Sequence, residues 1–301
     1  MRVGTKLGDG LFPDPALPVM SVGSGVAGPA FGAPPGDPGS EPRDRRRTLS
    51  VVIPTRSEAP NVAALVSRLK GALLSSGLDW ELVFVDDSDD STCAAIRQAM
   101  LANPEICLVH RVPGERQGGL GGAVSAGFEV ASGEVVAVMD ADLQHPPEVL
   151  AAVIAPVLSG EAGLVAGNRY AWAGGSSGLS GWSRHLVSWS CRVLVHVLVP
   201  SSRRLADPLG GLFAVRRSLL EGVALRPCGY KILLEVAVRC RPSAVCNVGF
   251  DFAPRQAGES KANLREGLLF FRHLGRLAAA DRRLISSGGD VVLERGTSER
   301  V

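Results

Sequence analysis

From residue 49 onward, apolar segments typical of strands alternate with segments typical of helices. Four strand segments, LSVVIP, WELVFVDD, ICLVHR and EVVAVMD, are apolar along their whole length rather than at every second residue. After the first of them, five apolar residues recur at helical spacing: Val62, Leu65, Val66, Leu69 and Leu73. Strands that are apolar on both faces and separated by helices form a parallel sheet covered on both sides. The alternation therefore predicts an α/β fold with a mostly parallel, Rossmann-like sheet and helices on both faces.

Composition narrows the class of protein. The 301 residues are 46% apolar, which is enough for one large or two ordinary domains. The formal net charge is only +2, so no global basic field indicates a nucleic-acid partner, and any anion site must be local. The six cysteines include no CxxC pair. This pattern favours reduced, mostly buried thiols of a cytoplasmic protein over disulfides or a zinc site.

The two ends of the chain differ from its middle. Residues 1–47 are rich in Gly and Pro and predict a disordered tail without the apolar core of a signal peptide. Residues 283–301 are charged and predict a second flexible tail. The most apolar stretch, residues 185–200, is interrupted by Arg192 and His196 and is shorter than the roughly 20 residues that span a bilayer. We expect the protein not to cross a membrane by itself.

Acidic residues cluster where three predicted strands end, in PTRSE (54–58), VDDSDD (85–90) and MDADLQ (139–144). The carboxyl ends of parallel strands meet at one edge of a sheet, where ligands bind in such folds. Two carboxylates one residue apart repel each other unless a cation lies between them. Asp140, Asp142 and Gln144 offer the hard oxygen ligands that Mg²⁺ or Mn²⁺ prefers, with phosphates as the usual remaining ligands. The sequence therefore predicts a divalent metal at this edge.

These motifs continue in order through AGNRY, DPLGGLFAVRR, GYKILLEVAVR and RQAGESK. The ordered set, over residues 49–262, resembles the family-2 glycosyltransferases of GT-A fold, and most closely the dolichyl- or polyprenyl-phosphate mannose synthases. The resemblance implies one GT-A domain over residues 48–262. It also implies nucleotide-sugar contacts from Pro54, Arg56, Glu58, Val85, Asp87, Asp140, Ala141, Arg169, Arg255 and Lys261. Arg56 stands where the family usually has Tyr, and DDSDDST replaces the usual DDSSPDGT.

The reaction that this resemblance implies is a metal-dependent, inverting transfer of mannose from GDP-mannose to a polyprenyl or dolichyl phosphate. The metal ligands are Asp140, Asp142 and Gln144, and the catalytic residues are Asp142, Arg255 and Lys261. A metal at Asp142 would neutralise the leaving diphosphate. The lipid phosphate is already ionised at neutral pH, so no strong general base is needed. We therefore interpret His145, beside the motif, as a structural residue.

A further amphipathic helix is predicted over residues 263–282. Leu264, Leu268, Phe271 and Leu274 lie on one face of it, with arginines on the others. Such a face suits the interface of a membrane that holds the lipid acceptor, or alternatively the core of the domain. Because the chain has no predicted spanning helix, we expect peripheral attachment to the membrane, or help from a separate membrane-protein partner.

Other functions remain open at this stage. Within the enzyme class, glucose transfer from UDP-glucose to the same lipid is the alternative. In a different class, the chain would be a non-catalytic module that binds a nucleotide sugar or a lipid phosphate. A dinucleotide oxidoreductase is disfavoured, because GGLGGAVSAG (118–127) contains no GxGxxG and follows the third strand rather than the first.

Overall fold

The computed structural model describes residues 19–20, 48–74, 76–170, 182–251 and 264–287. The strands are β1 (Val19–Met20), β2 (Leu49–Thr55), β3 (Trp80–Asp86), β4 (Ile106–His110), β5 (Val135–Val138), β6 (Leu164–Asn168), β7 (Phe213–Arg216) and β8 (Val245–Gly249). The helices are α1 (Ala59–Leu74), α2 (Thr92–Met100), α3 (Gly119–Val130), α4 (Leu150–Leu158), α5 (Trp182–Leu198), α6 (Ile232–Arg239) and α7 (Leu264–Ser287). Arg255 and Lys261 lie outside the described residues.

All of these strands belong to one sheet, in the order β1-β4-β3-β2-β5-β7-β6-β8. Every neighbouring pair is parallel except the two pairs that β7 makes with β5 and β6. The mostly parallel α/β sheet is therefore confirmed, with one antiparallel strand near its middle. At the edge, Val19 and Met20 pair in parallel with Leu108 and Val109, so these two residues depart from the structureless tail predicted for residues 1–47.

Helices cover both faces of the sheet, as predicted. One buried cluster joins α1, α2 and α4 to one face, and a second joins α3 and α6 to the other. The five residues predicted to form the inner face of α1 are all buried. On the opposite face α3 approaches β2 closely, since a Cβ built on Gly127 would lie 2.3 Å from Cγ1 of Val52. The strands, which are apolar along their whole length, therefore pack against helices on both faces of the sheet.

A third cluster packs α5, α6 and α7 together. Phe270, Leu274 and Leu277 of α7 are buried in it, while Phe271 is 54% exposed. Leu274, for which the sequence left a membrane interface and the core open, therefore lies in the core, where α7 packs against α5 and α6. The helix continues to Ser287, so the predicted tail from residue 283 begins as helix. Among the described residues, no helix combines the length and apolarity needed to span a bilayer.

Candidate active site

The carboxyl ends of three neighbouring strands form the edge that carries the acidic motifs. β2 lies between β3 and β5 and is parallel to both, with Thr55 opposite Asp86 and Val52 opposite Val138. β4 and β3 are added on one side of β2, whereas β5 is added on the other, so the direction of strand addition reverses there. Ligands of open α/β sheets bind at such a reversal point. The predicted convergence of the three acidic motifs is confirmed by this register.

On the β3 side, Asp87 forms a buried ion pair with Arg111. Nε of Arg111 donates to Oδ1 of Asp87 at 2.7 Å, and a second guanidinium nitrogen bonds Oδ2. The same guanidinium donates to the carbonyl oxygens of Gln117 and Gly119, and only 4% of the Arg111 side chain is exposed. The carboxylate assigned to the nucleoside is therefore held rigidly. The sequence analysis missed Arg111, whose signal is its position directly after β4.

The other nucleoside candidates surround the same edge. Val85 is fully buried in the second cluster, so only its backbone can face a ligand, and Pro54 is buried too. Arg56 is exposed, and Glu58 is partly exposed, with Oε2 accepting from Nδ2 of Asn61 at 2.7 Å. Between these two residues Ser57 adopts a left-handed φ of 56°. Their nucleoside contacts stay predictions.

On the β5 side, the chain turns sharply through the DADLQ segment. Leu143 is buried with a left-handed φ of 60°, which is uncommon for a leucine and marks a constrained turn. The backbone N–H of Gln144 donates to Oδ1 of Asp142 at 3.1 Å and fixes that carboxylate. Asp140 rests against Gly211, where a Cβ would lie 2.4 Å from its Oδ2. Ala141 is buried between the two acids.

The electrostatics of this turn favour a bound cation. Although 33% of the Asp140 side chain is exposed, desolvation by the surrounding protein raises its pKa. The charge of Asp142 adds to this rise, while His145, Lys231 and Arg169 oppose it. A divalent ion would offset the repulsion between the two carboxylates. The two carboxylates and the Gln144 amide form an oxygen donor set, so the residues present fit Mg²⁺ or Mn²⁺.

Positive charge faces Asp140 from two other elements. Arg169, just after β6, donates from Nε to Oδ2 of Asp207 at 2.6 Å and from a second nitrogen to Oδ1 at 3.1 Å. Asp207 is fully buried, whereas 14% of the Arg169 side chain is exposed. Asp207 was not predicted from the sequence, and its signal was the DPLGG motif. The placement of Arg169 beside the DADLQ turn agrees with the proposed diphosphate contact.

Lys231, just before α6, is the second cation and was also missed. Its Nζ donates to the carbonyl oxygen of Leu209 at 2.7 Å and lies 4.2 Å from the centre of the Tyr230 ring. Burial and the nearby charge of Arg169 lower the pKa of Lys231 to about 7, against the opposing carboxylates of Asp207 and Asp140. An anionic ligand would raise this pKa, because it stabilises the ammonium form.

His145 fits the structural interpretation. Its Nδ1 lies 3.6 Å from Oδ2 of Asp140, and its ring contacts Phe250 with 5.4 Å between ring centres. Burial lowers the pKa of His145, and the charges of Asp140 and Asp142 oppose this shift. It supports the Asp140 carboxylate from a position closed to solvent.

Sequence comparisons agree with this arrangement. The sequence model of Glycosyl transferase family 2 matches residues 50–221. A dolichol-phosphate mannosyltransferase of Pyrococcus furiosus is 37% identical over 76% of this chain and 63% of its own length. A dolichol-phosphate mannosyltransferase of Mycosarcoma maydis is 31% identical over 76% of this chain and 78% of its own length. The chain therefore belongs to glycosyl transferase family 2. It spans less than two thirds of the length of the archaeal relative.

The comparison with solved structures identifies the fold. Glucosyl-3-phosphoglycerate synthase from Mycobacterium tuberculosis, in complex with Mn²⁺, UDP and glucosyl-3-phosphoglycerate, superposes with a TM-score of 0.51. The sequences are 21% identical, and the match covers 80% of this chain and 79% of the other. At this identity the likeness concerns the fold alone, which is GT-A.

Proposed function

We propose that this protein transfers mannose from GDP-mannose to a polyprenyl or dolichyl phosphate. The observation that carries the proposal is the DADLQ turn, where Arg169 and Lys231 act electrostatically on Asp140, beside the acidic ends of β2 and β3. Two relatives named as dolichol-phosphate mannosyltransferases support the sugar and the lipid. The structural neighbour that holds Mn²⁺ with UDP supports a divalent metal.

In the proposed reaction Asp140, Asp142 and Gln144 hold the metal, which would neutralise charge on the leaving diphosphate. Arg169 remains fixed by Asp207 and offers its guanidinium edge to a diphosphate oxygen. Lys231 supplies a second point charge that acts on Asp140. These groups are positioned before substrate arrives, so they stabilise developing charge without reorganising. Direct attack by the lipid phosphate inverts the anomeric carbon.

The acceptor needs its own cations, because a lipid phosphate must approach a donor diphosphate of the same charge. At about 4 Å, two unit charges repel by about 4 kcal/mol at an effective dielectric of 20. We assign this task to Arg255 and Lys261, which lie outside the described residues. Arg255→Ala is expected to lower kcat and lipid-phosphate affinity more than donor affinity, and Lys261→Ala to do the same more mildly. Steady-state kinetics with each substrate varied in turn measures this difference.

A donor panel tests the proposed function. The protein is incubated with GDP-mannose or UDP-glucose, a short polyprenyl phosphate, and Mg²⁺, Mn²⁺ or EDTA. We expect mannosyl lipid only with GDP-mannose and metal, and a loss of at least 100-fold in Asp142→Asn with an unchanged melting temperature. Product from UDP-glucose alone would support the glucosyltransferase alternative. Nucleotide binding without turnover under any condition would identify a binding module.

We also propose that α5 attaches the protein to the membrane containing the acceptor. Trp189, Val193 and Val197 recur every four residues and are 54%, 39% and 61% exposed, so α5 presents an apolar stripe. The stripe is next to the site, because Arg192 of the same helix stacks over Tyr170, 4.7 Å from the ring centre. A lipid acceptor keeps its tail in the bilayer, so an apolar surface beside the site fits the leaflet that holds it.

Sedimentation with vesicles of phosphatidylcholine and phosphatidylglycerol tests this attachment. We expect the double variant Val193→Asp/Val197→Asp to lose vesicle binding, with the same activity toward a short, water-soluble acceptor. Leu101→Asp is the matched control, since Leu101 is 57% exposed at the end of α2, and it is expected to sediment normally. Equal sedimentation of all three proteins would exclude α5 as the attachment surface.

A further inference from the structure

Asp86, Cys93 and His110 meet at the carboxyl ends of β3 and β4, apart from the DADLQ turn. Asp86 is the last residue of β3, His110 is the last residue of β4, and Cys93 lies in the first turn of α2. One ligand atom from each residue lies within 4.8 Å of those from the other two. The proposed transfer reaction uses none of these three side chains.

We propose that Asp86, Cys93 and His110 bind a zinc ion. A thiolate, an imidazole and a carboxylate are the three ligand types that zinc takes in proteins. Mg²⁺ selects oxygen ligands and would not use the sulfur, so the cluster differs in preference from the oxygen site at Asp140 and Asp142. This inference goes beyond the proposed function and does not depend on it.

The present geometry is close to that of a tetrahedral zinc site. Bond lengths of about 2.0 to 2.3 Å place neighbouring ligand atoms about 3.3 to 3.7 Å apart. Oδ2 of Asp86 and Nδ1 of His110 are already 3.1 Å apart. With all three ligand atoms inside 4.8 Å, the sulfur needs to move by only about 1 Å to complete the set. Rotation of the Cys93 side chain supplies a movement of this size.

The surroundings orient the Asp86 carboxylate as a ligand. Its Oδ1 accepts hydrogen bonds from Oγ1 of Thr55 at 2.9 Å and from Oγ of Ser88, which leaves Oδ2 turned toward His110. Outer hydrogen bonds of this kind fix the ligands of metal sites. Asp86 is fully buried, whereas His110 is 24% exposed and Cys93 partly exposed. A fourth position is therefore accessible to water.

Charge and protons balance when zinc enters. Burial raises the pKa of the Cys93 thiol; the charge of Arg97 opposes this rise and that of Asp86 adds to it, so the sulfur is protonated at neutral pH. Zinc binding releases this proton to solvent and forms a Zn–S bond. Zinc binding through Nδ1 of His110 replaces the hydrogen bond of this atom to Asp86, and the ring proton moves to Nε2. The dication with two anionic ligands then forms a neutral site at the end of the sheet.

Cobalt substitution tests the site, because Co²⁺ reports its own ligands. Adding Co²⁺ to the full-length protein is expected to give a sulfur-to-cobalt charge-transfer band and the strong visible bands of tetrahedral cobalt. An oxygen-only octahedral site gives weak bands and no sulfur band. One equivalent of Zn²⁺ added to the cobalt form is expected to remove the signal. Added to the metal-free protein, it is expected to release about one proton to a pH indicator.

Matched variants assign the signal to this cluster. Cys93→Ser is expected to abolish the sulfur band and His110→Gln to lower cobalt affinity at least tenfold. Cys246→Ser, whose thiol also lies near a carboxylate, 4.0 Å from Glu161, is expected to keep the full signal. Asp142→Asn is expected to keep it as well, which separates this site from the proposed transferase metal. Absence of the sulfur band in the wild type, or its persistence in folded Cys93→Ser, would overturn the proposal.

Discussion

Two buried aspartate–arginine pairs lie at opposite sides of the site and differ in their surroundings. Asp87 and Arg111 are joined near β3 and β4, and Asp207 and Arg169 are joined near β6 and β7, each through two hydrogen bonds. The Arg111 guanidinium also donates to the backbone carbonyl oxygens of Gln117 and Gly119, and its side chain is 4% exposed. Arg169 is 14% exposed and acts electrostatically on Asp140.

The difference shows that an ion pair does not define a role by itself. The Arg111 pair holds the loop between β4 and α3 against the end of β3, and it fixes the carboxylate of Asp87, which is predicted to contact the nucleoside. The Arg169 pair fixes a cation beside two carboxylates, so its contribution is to charge at the site. The other groups around each arginine, apart from its aspartate, therefore determine which role the pair has.

The largest effects are expected when each of the two arginines is replaced by lysine. Arg169→Lys is expected to lower kcat about 100-fold and to lower the free energy of unfolding by less than Arg111→Lys does, because lysine keeps the charge but loses the planar fork. Arg111→Lys is expected to lower the free energy of unfolding by about 3 kcal/mol, since it leaves a buried carboxylate and several carbonyls poorly paired. Kinetics and thermal melting of both variants measure the two effects. Equal loss of stability in both would remove the distinction.

A methyl group at Gly211 tests whether the position of the Asp140 carboxylate matters for activity. A Cβ there would lie 2.4 Å from Oδ2 of Asp140, so Gly211→Ala must displace the carboxylate. We expect kcat to fall about tenfold and the metal concentration for half-maximal activity to rise. Gly71→Ala is the control, because nothing lies within 4 Å of its Cβ, and its activity is expected to be unchanged. Normal metal dependence in Gly211→Ala would show that Asp140 does not hold the ion.

Lys231 gives a smaller, pH-dependent test. The pKa of Lys231 is about 7 in the folded protein, against an ordinary value of 10.5 that applies to the unfolded chain. Between pH 7 and 10.5 the unfolded chain therefore binds more protons than the folded protein, so stability rises with pH. From pH 7 to 9 the contribution of Lys231 to the free energy of unfolding grows by about 2 kcal/mol. Lys231→Met is expected to lack this contribution, so its melting temperature rises less between pH 7 and 9 than that of the wild type.

The control for that variant is Lys70→Met, which removes a lysine paired with Glu105 at 3.1 Å on the surface. Its melting temperature is expected to follow the wild-type dependence on pH. If Lys231→Met also followed it, the lysine would be fully charged across this range, and the low-dielectric description of its surroundings would be wrong.

The sequence predicted the first part of the fold and the position of the DADLQ turn well. Apolar strands and helix faces arise from neighbouring residues, so β2 to β5 and α1 to α3 follow from local pattern. The DADLQ motif is also local, and its position at a strand end follows from the sheet. The sequence could not decide whether Leu274 faces a membrane or the core, because an apolar helix face looks the same whether lipid or protein covers it.

Contacts between distant segments were not predictable in the same way. Asp87 pairs with an arginine 24 positions later, and Asp207 pairs with one 38 positions earlier. Lys231 is unremarkable in GYKILLE until the fold brings it beside the carbonyl of Leu209. The cluster of Asp86, Cys93 and His110 has no recognisable metal spacing, since its members come from three different elements. Such sites depend on the three-dimensional packing rather than on local pattern.

The antiparallel strand β7 has a consequence for how the chain folds as it is synthesised. β5 can pair with β2 as soon as both have been made, but its other edge stays open until residues 213–216 arrive. Until then the apolar VVAV edge can pair with strands of other chains, which is a known route to aggregation. Gly211, which supports Asp140, arrives just before β7. Closing the exposed edge and completing the metal turn are therefore one late folding event, so unfinished chains carry neither a protected sheet nor a competent site.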